Sequence, residues 1–79
     1  MNQEYSSQEI KLANEIADVL KDWDSINLHL KYARRYKEEF LRRVLAKVMS
    51  IDERNIRKNR AALYTFLINQ SHDHGNARY

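Results

Sequence analysis

The sequence predicts an all-α protein: a compact four-helix domain over residues 1–70 and a disordered C-terminal tail over 71–79. Three observations predict it. Helix formers are abundant, and β-branched residues never alternate over a strand length. Apolar residues recur at helical spacing in four stretches, about 7–21, 25–35, 38–50 and 59–70. The 79 residues include one Gly, no Pro and no Cys. Tight hairpins, glycine-rich phosphate loops, disulfides and thiolate metal sites are thereby excluded. A chain of this length has one small core, held by packing or by a partner.

Each helix has its own signals. Ser6-Ser7-Gln8-Glu9 reads as a capping box, and Ile10, Ala13, Ile16, Ala17, Leu20 and Trp23 follow at helical spacing. Trp23 is expected to close the core. Asp24 reads as the N-cap of the second helix, where Leu28 and Tyr32 share one stripe and Ile26, Leu30 and Ala33 a neighbouring one. His29 among them reads as a satisfied boundary histidine. Nothing from Ser25 to Ser50 breaks a helix by propensity. A break near Tyr36-Lys37 is nevertheless expected, with a continuous rod as the alternative. The third helix carries the stripe Phe40, Leu41, Val44, Leu45, Val48 and Met49. Asp52 can cap a single turn, and Asn59 caps the fourth helix. There Ala62, Leu63, Phe66 and Leu67 form the expected buried stripe, flanked by Tyr64 and Ile68. The expected core is Ile16, Leu20, Leu30, Phe40, Leu41, Val44, Leu45, Val48, Leu63, Phe66 and Leu67.

The formal charge of +3 hides a polarity. Residues 1–30 hold two Lys and six acids, for −4. Residues 31–60 hold eleven bases and four acids, for +7, and Arg78 and Asp73 cancel in the remainder. The basic block is Lys31, Arg34, Arg35, Lys37, Arg42, Arg43, Lys47, Arg54, Arg57, Lys58 and Arg60. Most of these are Arg, whose guanidinium fork pairs with phosphate or carboxylate through two bonds. Cations on a helical scaffold suit a polyanion, because each phosphate contact releases counterions. The third helix, a polar turn and the fourth helix can act as a helix-turn-helix-like pair. Tyr32, Tyr36 and Tyr64 lie among the bases, where they can stack on exposed nucleotides. The bland alternative is a solvated face, with Glu38–Arg42 and Glu39–Arg43 as i,i+4 pairs.

Other chemistry is sparse. The chain offers no nucleophile–base pair, and its serines serve as caps or helix ends, so no enzyme is expected. His72-Asp73-His74 reads as plain solvated tail rather than a metal site, which needs orienting contacts and a fourth ligand. No cofactor is expected. No apolar run approaches the roughly 18–20 residues of a membrane span. The N-terminus lacks the basic-then-apolar pattern of a signal peptide. A soluble, cytoplasmic protein without membrane contact is expected.

Tyr36-Lys37-Glu38-Glu39-Phe40-Leu41-Arg42-Arg43-Val44-Leu45 and Ile56-Arg57-Lys58-Asn59-Arg60-Ala61-Ala62-Leu63-Tyr64 carry a resemblance. Over residues 25–70 the chain resembles a recurring helical module of small bacterial proteins and of mobile-element, replication-associated proteins. That module begins with Tyr-Pro-Glu-Glu and has Gly before its Ala-Leu-Phe. Lys37 stands in place of the Pro and Ala61 in place of the Gly. The resemblance implies a bacterial or mobile-element setting and, by analogy, a DNA-associated role.

These features together predict a small non-enzymatic nucleic-acid-binding or nucleoprotein accessory module, with DNA as the expected ligand. Its phosphate contacts would be Lys31, Arg34, Arg35, Arg42, Arg43, Lys47, Arg54, Arg57, Lys58 and Arg60. The alternative is a protein-interaction module, an adaptor or an inhibitor of a nucleic-acid enzyme, whose basic block meets an acidic protein surface. Opposite charges on the first helix and on the basic block also allow a homo-oligomer.

Overall fold

A computed structural model of the chain describes the backbone of residues 5–77 and the side chains of residues 5–70. The protein is all-α, with helices α1 (Ser7–Leu20), α2 (Ile26–Arg35), α3 (Glu38–Ser50) and α4 (Arg60–Ala77). Single 3₁₀ turns occupy Trp23–Ser25 and Glu53–Asn55, and no strand occurs among the described residues. The tail expected over 71–79, including His72-Asp73-His74, lies outside the described side chains. The chain divides into two compact units, Met1–Leu41 and Arg42–Tyr79, with the boundary inside α3.

In the first unit, α1 begins with the capping box. Ser6 Oγ accepts from the Glu9 amide at 3.1 Å, and the Ser6 amide donates to the Glu9 carboxylate at 2.8 Å. Leu12, Ala13, Ile16, Ala17 and Leu20 form its buried stripe. The helix ends in a Schellman motif. The Asp22 amide donates to the Ala17 carbonyl at 2.8 Å, and the Lys21 amide to that of Asp18 at 3.2 Å. This geometry puts Lys21 in the left-handed region, at φ 55° and ψ 46°. A Cβ is unfavourable there, and glycine is the usual occupant.

The turn that follows sets α2 against α1. The Asp22 carboxylate accepts from His29 Nε2 at 3.0 Å. His29 is 1% exposed. The imidazole is thus tied through Nε2 to the segment that ends α1. Asp24 does not cap α2. The 3₁₀ turn runs directly into the helix, and the Ile26 amide is already satisfied by the Trp23 carbonyl. Trp23 does not close the core either, since half of it is exposed.

α2 buries His29, Tyr32 and Ala33. Leu30, expected in the core, is half-buried. The helix ends at Tyr36, which turns extended at φ −114° and ψ 158°. No breaker residue causes this. The Tyr36 ring meets the edge of Tyr32 at 5.7 Å and packs on Phe40 at 5.3 Å between centroids. Aromatic contact across the break replaces the continued helix, at separations where such pairs attract. Phe40 is half-buried as a result.

In the second unit, α3 buries Val44, Leu45 and Val48, as its stripe predicts. Asp52 caps the following 3₁₀ turn by accepting from the Arg54 amide at 3.0 Å. Asn59 Oδ1 accepts from the Ala62 amide at 2.7 Å and so starts α4. The face that α4 buries differs from the expected one. Tyr64 and Ile68 are fully buried, Leu63 and Leu67 are half-buried, and Phe66 is 57% exposed. Residues two apart on a helix point about 200° from each other. Burying Tyr64 and Ile68 therefore turns Phe66 outward.

Two outcomes follow for the first unit. Lys21→Gly should raise stability by about 0.5–1 kcal/mol by relieving the left-handed position. A denaturant midpoint that moves up at unchanged slope would show it; a drop would contradict it. The Glu9 carboxyl is held below the usual glutamate range, mainly by the Ser6 amide, with Arg34 adding to the effect. A lowered carboxyl stabilises the fold above its unfolded value and loses that contribution as pH falls. Melting temperature should decline below about pH 4.3, and Glu9→Gln should flatten part of that decline. Parallel curves for the two proteins would rule Glu9 out.

Candidate functional site

The boundary between the units also divides the charge. Residues 1–41 carry six bases and eight acids, for −2, and residues 42–79 carry eight bases and three acids, for +5. The excess of cations therefore belongs to the second unit. The eleven-base block predicted from sequence is split by this boundary.

Lys31, Arg34 and Arg35 are exposed on α2 in the first unit. Arg34 is engaged there. Its Nη2 lies 3.3 Å from Glu9 Oε1, and its guanidinium carbon sits 4.4 Å from the centre of the Tyr5 ring. Within this unit Arg34 ties α2 to the start of α1.

In the second unit, α3 presents Arg42, Arg43 and Lys47 on the side opposite its buried stripe, and all three are exposed. Arg57 and Lys58 are exposed in the segment that leads into α4. Among the described residues no ion pair involves Arg43, Lys47, Arg57 or Lys58. Arg54 folds back on Asp52, with Nη2 3.1 Å from Oδ2 and Nε 3.4 Å from Oδ1. The Arg54 guanidinium, and then its amide, hold the Asp52 carboxyl below the usual range. Arg60 is half-buried and donates from Nη1 to the Val48 carbonyl at 2.6 Å. The Val48 carbonyl, near the end of α3, also accepts from the Ile51 amide at 3.3 Å, so Arg60 is its second donor. Of the predicted phosphate contacts, Arg34, Arg54 and Arg60 thus hold the fold itself.

The tyrosines do not form the expected stacking surface. Tyr64 is fully buried and Tyr32 is 7% exposed, so neither offers a ring face. Tyr36 is half-buried against Tyr32 and Phe40. Among the described residues of this unit the exposed aromatic is Phe66, a residue expected in the core. It lines a half-open groove of about 530 Å³ together with Asn55, Ile56, Arg57, Lys58, Asn59, Ala62 and Leu63. The groove has an apolar floor (Ile56, Ala62, Leu63 and Phe66) and a rim that carries two cations. The sequence held one signal for this arrangement: Arg60, Tyr64 and Ile68 share an i, i+4, i+8 face.

Among the described residues, no group of three or more His, Asp or Glu is placed to hold a metal ion. No described helix is long and apolar enough to cross a membrane. No protein-family model, curated protein or solved structure matches the chain.

The two kinds of arginine should separate by mutation. Arg60→Ala should cost about 1–3 kcal/mol, because it strips a donor from a carbonyl and removes a half-buried stem. Arg57→Ala should stay within about 0.5 kcal/mol of the parent, as exposed substitutions usually do. Equal losses in urea unfolding would contradict the assignment.

Proposed function

We propose that the protein is a small non-enzymatic nucleic-acid-binding module whose second unit holds phosphates. One observation carries this reading: a charge of +5 on residues 42–79, with Arg42, Arg43, Lys47, Arg57 and Lys58 all exposed. One of the unit's acids, Asp52, is already taken by Arg54. Guanidinium and ammonium groups at this density favour a polyanion through counterion release. Lys31 and Arg35 extend the cationic set on α2 of the first unit. The resemblance of residues 25–70 to modules of replication-associated, mobile-element proteins agrees with this reading. It also implies a bacterial or mobile-element setting, and DNA is the ligand to test first.

The proposal has a clear salt signature. Five phosphate contacts give a slope of log affinity on log salt of about −3.5 for single strands and about −4.5 for duplex. Fluorescence anisotropy over a salt series should return a slope in that range. Arg43→Ala should reduce its magnitude by about 1. Absence of binding to DNA and RNA at about 50 mM salt would refute the proposal, and an acidic protein surface would then become the partner to seek.

A further inference from the structure

The groove beside Arg57 and Lys58 has no role in the phosphate contacts on α3. Its shape suggests which form of nucleic acid the protein takes. We propose that the groove accepts one unstacked base, so that the module binds single strands in preference to duplex. This inference rests on the phosphate-binding reading above.

Four features argue for a base as the occupant. The floor is apolar and includes Phe66, the exposed aromatic ring. Bases stack on aromatic side chains, and a ring whose apolar surface is already wetted gains from being covered. The rim carries Arg57 and Lys58, so a nucleotide whose base lies in the groove brings its phosphate to two cations. Asn55 adds an amide that can donate to and accept from a base edge, whereas the side-chain oxygen of Asn59 is committed to the Ala62 amide.

Size decides against the other natural occupant, an acidic amphipathic peptide. The α4 wall of the groove runs only from Ala62 to Phe66, a rise of about 6 Å. A peptide helix in a groove needs anchors at i, i+3/i+4 and i+7, a span of about 10 Å. The volume of about 530 Å³ falls in the range of sites for small molecules. Duplex bases are already stacked and present only their edges, so they cannot enter such a groove. Charge complementarity and the short wall together select a nucleotide.

The test uses the full chain with a labelled oligothymidine strand and a duplex of the same length. Single strand should bind more tightly than duplex. Phe66→Ala should weaken single-strand binding about 5- to 150-fold, the loss of one stacked base. It should change duplex binding less than about twofold, because phosphate contacts carry that term. Phe66→Leu keeps apolar bulk without a ring and should lose nearly as much as Phe66→Ala; Phe66→Trp should bind at least as well as the parent. Phe66 is more than half exposed, so thermal melting of all three should match the parent and exclude misfolding. Duplex binding as tight as single-strand binding, unmoved by Phe66→Ala, would overturn this inference and leave phosphate binding intact. Full retention of single-strand binding in Phe66→Leu would also overturn it, in favour of a general apolar contact. No binding to either form would overturn both proposals.

Discussion

The hydrogen bond from Arg60 to the Val48 carbonyl, 2.6 Å long, orients the second unit. α3 ends with carbonyls that its own amides cannot reach. Arg60 reaches back twelve residues to one of them, Val48, and joins the Ile51 amide as its donor. Residues at i, i+4 and i+8 share a helix face, so the same bond turns Tyr64 and Ile68 in the direction of Arg60. Phe66 then has to face outward. The buried face and the exposed groove of α4 are therefore two consequences of one rotation. Asn59 completes it by fixing where the helix begins.

The first unit is tied in a comparable way, through polar groups at helix ends. The Schellman turn brings Asp22 to His29, and the capping box brings Glu9 to Arg34. Both residues serve a local geometry and a longer-range partner at once, Glu9 through its carboxylate and Asp22 through its amide and then its carboxylate. Glu9 caps its own helix while holding a guanidinium from α2. Asp22 closes the end of α1 while accepting from a buried imidazole. This economy suits a short chain without disulfides, whose apolar core is small. It also commits one cation of this unit to the fold: Arg34 is held by an acid and an aromatic ring.

Much of the fold was legible in the sequence because local rules govern it. The capping box at Ser6, the turn at Asp52, the cap at Asn59 and the stripe of α3 all depend on residues a few positions apart. The site was less legible. Separating ligand cations from structural ones requires knowing that Arg54 meets Asp52 and that Arg60 meets Val48. The hydrophobic ranking of side chains also misled the reading of α4. Phe and Leu outrank Tyr in hydrophobicity, yet Tyr64 is buried and Phe66 is not. Trp23 shows the same limit: its spacing continues the stripe of α1, but the left-handed turn at Lys21 breaks the phase before it.

The sequence by itself determined the class, the four helices, the caps at Ser6, Asp52 and Asn59, and the polarity of charge along the chain. Each of these follows from composition or from spacing within a turn or two of helix. The sequence also pointed to the break near Tyr36-Lys37, but only the tertiary structure decided against a continuous rod, which face α4 buries, and which arginines are committed to the fold. Those outcomes depend on contacts between residues distant in sequence or on the competition of several side chains for one buried face. The break at Tyr36 has no breaker residue, and an aromatic contact across it took the place of the continued helix. The face that α4 buries goes with a bond from Arg60 back to the Val48 carbonyl near the end of α3.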